Sequence, residues 1–199
     1  MRFLFRGIAA QGQGYPEESI KKMHVLAHFK TITYHKYLVM KGCFAVGLYR
    51  QGLLHDMSKY SPTEFLVGAI YYQGDRSPNN AEREYRGYSS SWLHHKGRNK
   101  HHYEYWVDYA RSETGHVTEP VRMPRRYVAE MVMDRIAASK VYLKDKYTDD
   151  AALQYYLAGI GGMMMHPSTK KHLEKLLRML AKEGEAKTFA YIKNVYLKK

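Results

Sequence analysis

The chain has 199 residues, 45% hydrophobic and 26% charged, a balance that fits one folded domain and excludes wholesale disorder. Lys and Arg outnumber Asp and Glu by 32 to 19, a formal net charge of +13; such a field favours nucleic acid, nucleotides or phosphorylated metabolites without choosing among them, and a solvated basic surface satisfies it equally well. A single cysteine, Cys43, excludes an intramolecular disulfide and gives a reducing, cytoplasmic compartment as the expectation, and no stretch reaches the roughly 18 apolar residues of a membrane span.

Residues 1–15 have a basic start and a short apolar run interrupted by Arg6, with no continuous signal-type stretch, and read as a poorly ordered N-terminal segment ahead of one domain over 16–199. Pro16 with Glu17 and Glu18 opens a helix whose apolar residues, Ile20, Met23, Leu26, Phe29 and Ile32, recur at helical spacing. It is expected to break near Thr31–Thr33, resume through Leu38, Val39, Phe44 and Val46, and stop at Gly47. A turn started by Gly52 leads into His55-Asp56. Ser61, Pro62 and Glu64 read as a capping box that starts the next helix. Residues 73–90 read as a polar loop with a helical turn around Ala81–Tyr85. Two short helical pieces then flank Gly97–Asn99, and another loop runs up to Pro124. A strong amphipathic helix follows, and three more begin near Asp149, at Ser168 (a cap) and after Gly184 (a stop). With little strand pattern anywhere, the expected fold class is all-α, a single-domain helical bundle.

Chemistry concentrates in histidine. "LHDMSK" at 54–59 sets His55 beside Asp56 with Lys59 one turn on, and "WLHHKGRNKHHYEYW" follows with His94, His95, His101 and His102. An imidazole and a carboxylate suit manganese, iron, nickel or zinc, and a nearby lysine offers a point charge to phosphate. Alone, the doublet reads better as a helix-terminal histidine beside a capping aspartate. Its company, His35 upstream and Asp134 on a later helix, favours a metal centre.

These residues resemble the HD-domain superfamily of metal-dependent phosphohydrolases, named for its His-Asp doublet, with Met57-Ser58 where that superfamily often has Ile-Gly in "HDIGK". The stretches "GLLHDMSKYSPTEF" and "WLHHKGRNKHHYEYW" also resemble a narrower, uncharacterised family of bacterial and phage proteins distantly related to it, over roughly residues 30–140. The resemblance implies an HD-like helical bundle with His35, His55, Asp56 and Asp134 as a first metal site, Asp56 placed to bridge two ions, and Lys59 at the substrate phosphate or the attacking water. Additional histidines bind a second metal in binuclear members. If residues 92–105 formed one helix, 95 and 102 would share a face, as would 94 and 101; His95 and His102 are preferred, and His94 and His101 are left as second-metal or supporting residues. Asn99 either orients a ligand or caps the second helical piece, and Glu104 faces solvent or supports a ligand histidine. Arg86, Arg98 and Lys100 are expected at a phosphate-attracting entrance.

The expected activity is hydrolysis of a phosphoester on a phosphorylated small molecule or nucleotide, by metal-activated water with one or two divalent ions. Two alternatives stand beside it: an HD-type di-iron oxygenase, and a non-catalytic basic protein that binds nucleic acid or another anion around a structural metal. His24 and His28, four apart on a helix, are read as flanking the core, and His116, His166 and His172 as surface or loop residues.

Overall fold

The computed structural model of the chain describes residues 23–111, 113, 115 and 117–198. The N-terminal segment, the helix start at Pro16 and His116 lie outside them. Among the described residues there are eight α-helices and one short antiparallel ribbon, so the fold is all-α as expected. No described helix is long and apolar enough to cross a membrane. The chain gathers into two compact units, each drawn from separate stretches of sequence: Tyr34–Asp56 with residues from Lys96 onward, and Met57–His95 with the described residues up to Thr33.

Helix α1, Val25–Ala45, runs through Thr31–Thr33 without the expected break. The Thr31 hydroxyl donates to the Ala27 carbonyl at 2.9 Å, so a residue with modest helix propensity bonds back onto its own helix. The helix ends ahead of Gly47, at φ 83°, a left-handed position that suits glycine. Next comes α2, Tyr49–Leu54, where sequence had suggested a turn at Gly52. That glycine is inside the helix and buried; a Cβ on it would meet Cys43 Cβ at 3.0 Å and the Phe44 ring at 3.1 Å. Close helix approach, not turn geometry, explains it.

The larger unit is built around α6, Arg125–Leu143. Its residues Val128 to Met133 are buried without interruption, Glu130 among them, which marks a helix covered on several sides. Against it pack α7 (Ala151–Gly159) and α8 (Pro167–Tyr191). Leu173, Leu176, Leu177 and Leu180 of α8 are fully buried at helical spacing and join Val39 and Cys43 of α1 and Tyr156 of α7 in one core. His166, not Ser168, caps α8: its Nδ1 accepts from the Ser168 N–H at 3.1 Å, and Pro167 takes the first helical position. Gly184, expected as a stop, is a non-helical kink at φ 77° within α8. The ribbon pairs β1 (Val107–Tyr109) with β2 (Thr118–Pro120), Asp108 opposite Glu119; β2 lies in a segment read from sequence as loop, and β1 replaces the end of a piece read as helical.

The smaller unit holds α3 (Pro62–Ile70), α4 (Pro78–Arg86) and α5, Ser90–Lys96, up to His95. Residues 78–86 form a full helix where a single turn had been expected. Pro78 starts it, and Gly87 ends it at φ 81°. Glu82, fully buried, ties α4 to the start of α5. Its Oε1 accepts from the Ser90 N–H at 3.0 Å and the Ser90 hydroxyl at 2.6 Å, and its Oε2 from the Ser89 hydroxyl at 2.6 Å. A carboxylate from a neighbouring helix thus satisfies the orphan donors of the α5 N-terminus.

Candidate metal centre

His55 is the residue after α2, and Asp56 follows it with φ 52°, a left-handed backbone unusual for a side chain larger than glycine. Lys36 of α1 pins this corner, its Nζ donating to the carbonyls of Leu53 at 2.6 Å and His55 at 2.8 Å. The corner presents both side chains to α1 and α6. His35 Nε2 lies 3.0 Å from Asp134 Oδ1 and 3.7 Å from Asp56 Oδ2. His55 Nε2 lies 3.3 Å from Asp56 Oδ2 and 3.6 Å from Asp134 Oδ1. One ligand atom from each of His35, His55, Asp56 and Asp134 falls within 4.8 Å of the others, so the four can hold a metal ion.

The histidine segment divides between the units. Because α5 ends at Lys96, the single helix over 92–105 that would have paired 95 with 102 and 94 with 101 is not formed. His101 and His102 lie in the larger unit, just ahead of the Tyr103–Trp106 3-10 turn, their rings 4.1 Å apart between centroids. His101 is buried, its Nε2 3.3 Å from Asp56 Oδ1 and its ring 4.4 Å from that of His55. Asp56, His101 and His102 also bring ligand atoms within 4.8 Å, so Asp56 is shared between two donor sets. The preferred His102 is thus in this group, and His101, left as a supporting residue, joins it. The residue at the cap position of the 3-10 turn is His102, not Asn99, and no side chain caps it.

Two glutamates that sequence reading missed organise these histidines. Glu130, one turn before Asp134 on the same face of α6, accepts from His55 Nδ1–H at 3.0 Å and lies 3.2 Å from His101 Nδ1. These three residues form another group able to hold an ion. In the smaller unit, Glu64 Oε1 and Oε2 accept from His94 Nδ1 at 2.6 Å and His95 Nδ1 at 2.8 Å. Glu64 is buried, and the Ser61 side chain makes no cap bond, so the expected capping box is not formed. The one signal for Glu130 was its place as the sole carboxylate in the apolar run from Val128 to Met133, which does not name its partners; Glu64 was masked by its fit to the box.

The remaining predicted residues are spread between the two units. Lys59 is half-buried on the Met57–Tyr60 3-10 turn of the smaller unit. Arg86, in the same unit, is 3.5 Å from Glu82 and donates to the Tyr88 hydroxyl at 3.0 Å. Arg98 and Lys100 are exposed in the larger unit, Lys100 over the Tyr105 ring. Glu104 sits beside the Tyr103 phenol, which burial and this carboxylate push up to about 12. His28 is buried against Phe65, Gly68 and Tyr72, in keeping with a core role.

The charge of the centre suits a cation. Burial alone would depress the His55 imidazole, but Asp56, Asp134 and Glu130 outweigh it and hold its pKa well above the ordinary histidine value. Burial would raise the Glu130 carboxyl, yet hydrogen bonds from His101 and His55 bring it down to about 2. Asp134 is likewise held well below the usual carboxylate range, burial being overcome by His35 and His55. His55 Nε2 is buried and makes no hydrogen bond despite its closeness to Asp56. A nitrogen left so, facing two ionised carboxylates, fits a metal ligand.

A family model described as a family of unknown function (DUF5662) matches residues 24–179. No curated protein and no solved structure matches the chain.

Proposed function

The chain belongs to the DUF5662 family, and we propose that it is a metal-dependent phosphohydrolase acting on a phosphoester, with a nucleotide as the favoured class of substrate. The observation that carries this reading is the convergence of His35, His55, Asp56 and Asp134 from α1, the α2–Asp56 corner and α6 on one buried point. Their order along the chain resembles that of the HD-domain phosphohydrolases. The donor set, imidazole nitrogens with carboxylates, suits manganese, iron, nickel or zinc.

A divalent ion bound there supplies a water of lowered pKa and a Lewis-acid contact for a phosphoryl oxygen. The protein's own part is positional. His35 and His55 approach through Nε2, while Asp56 and Asp134 bring the negative charge that offsets the ion. Asp56 has one oxygen toward His55 and the other toward His101, and so is the residue able to serve two ions. Lys59, three residues beyond Asp56, is assigned to the substrate phosphate as a point charge. The net charge of +13 favours the approach of an anionic substrate.

The test is elemental analysis of the full chain purified without added metal, beside His55→Ala and Asp56→Ala, followed by hydrolysis assays on a panel of nucleotides and simple phosphodiesters. Stoichiometric metal in wild type that is lost in both variants, together with phosphate release, supports the reading. Iron with oxygen consumption and no phosphate release would replace it with the oxygenase. No uptake of any of the four metals would remove it.

A further inference from the structure

The His55 and His101 rings each have two nitrogens and two candidate faces. On one face, His55 Nε2 and His101 Nε2 look toward Asp56, with Asp134 and His35 beyond. On the other, both Nδ1 atoms meet the same Glu130 oxygen, at 3.0 and 3.2 Å. An imidazole ligates through one nitrogen while the other bonds to a neighbour, so the two faces compete for the same histidines.

We propose that Glu130 is a positioning residue that holds His55 and His101 together as Nδ1–H tautomers, so that both offer Nε2 to metal at Asp56. This rests on the metal-centre reading above. Three observations favour it over an ion on the Glu130 side. The Nε2 face gathers two carboxylates and adds His35, whereas the Nδ1 face has one carboxylate. Glu130 is itself held in place as an acceptor. Gln51 of α2 donates to its Oε2 at 3.3 Å and to the Arg126 carbonyl at 3.0 Å, which fixes the carboxylate plane and leaves Oε1 for the histidines. The smaller unit repeats the device with different residues, Glu64 accepting from Nδ1 of both His94 and His95. An ionised carboxylate only accepts, so each of these contacts requires a proton on Nδ1; once metal displaces any proton on Nε2, that nitrogen's lone pair is the one offered to the ion.

Glutamate and aspartate one turn apart on α6 thus divide the work: Asp134 stands with the ligands and Glu130 stands behind them. A neutral amide at 130 would weaken both contacts and could donate to one Nδ1, which selects the wrong tautomer for ligation.

The experiment uses the full chain and zinc. Nitrogen-15 correlation spectra of the zinc-loaded wild type should place the proton on Nδ1 and the metal on Nε2 for both His55 and His101. In Glu130→Gln, competition with a chelating dye should show zinc affinity reduced by about 10–100-fold, with an unchanged circular dichroism spectrum. Zinc on Nδ1 of either ring, or a Glu130→Gln protein that binds as tightly as wild type, would overturn the positioning role and leave the metal centre standing. Wild type that takes up no zinc would overturn the positioning role as stated, and failure of manganese, iron and nickel as well would overturn the metal centre. The wild-type spectra do not depend on the variant folding.

Discussion

Asp56 Oδ2 lies 3.3 Å from Nε2 of His55, its neighbour in sequence, because the backbone at Asp56 is left-handed with φ 52°. In an extended strand neighbouring side chains point apart; this corner turns them to the same point. A strained conformation of this kind costs on the order of 1–3 kcal/mol and persists where the surroundings hold it, here the two carbonyls gripped by Lys36. Asp56→Gly is therefore expected to relieve the backbone and keep or raise the melting temperature of the metal-free protein. On the proposed function, the same variant is also expected to lose stoichiometric metal and phosphoester turnover. Retained metal in Asp56→Gly, measured by elemental analysis, would contradict the ligand role.

On the proposed function, Lys59 meets the substrate phosphate and is not a metal ligand, since a protonated lysine has no lone pair to offer. Lys59→Ala should leave metal content unchanged and lower kcat/KM for a phosphoester by roughly 10–100-fold, the order expected when one charge-assisted contact to phosphate is removed. Equal kinetics in wild type and variant would take Lys59 out of the site.

Glu82 carries no predicted function, yet it caps the helix that holds His94 and His95. Removing a buried acceptor leaves the α5 N–H and serine hydroxyl groups unsatisfied, so Glu82→Ala should cost about 2–3 kcal/mol. Denaturant unfolding of the metal-free protein reads this directly. A loss below about 0.5 kcal/mol would show that water replaces the carboxylate.

His28, in the smaller unit, provides a pH test that does not depend on metal. Burial, with Lys59 adding to it, lowers its pKa to about 4 from 6.5. The unfolded chain therefore takes up a proton near pH 6.5 that the folded protein refuses until about pH 4. Stability is unaffected above that window and falls as pH drops through it, by roughly 3 kcal/mol at full extent. His28→Phe should flatten this part of the stability profile relative to wild type. The His28 ring also stands where a Cβ on Gly68 would fall, so Gly68→Ala should displace the imidazole and cost about 1–3 kcal/mol.

Several elements were legible because their signals are local. Gly47 ends a helix at positive φ, Pro62 opens α3, and the leucines of α8 fall at helical spacing. The membership of His35, His55, Asp56 and Asp134 in one cluster was legible from residue order and family resemblance. Other features escaped for physical reasons. Helix α4 was obscured by a polar composition, and it forms because Pro78 starts it and Glu82 is buried within it. Thr31 marked a break that its own hydroxyl bond to Ala27 prevents.

By itself, then, the sequence determined the all-α class and several helix ends, since propensity, capping and periodicity act over a few residues, and residue order with family resemblance gathered His35, His55, Asp56 and Asp134. Only the tertiary structure decided which histidines meet which carboxylates. Glu64 fitted a capping box and was instead buried against His94 and His95, and Glu130 was one acidic residue among nineteen. Those assignments depend on contacts between residues as far apart as His55 and Glu130, 75 positions along the chain, and no local periodicity encodes a pairing at that separation.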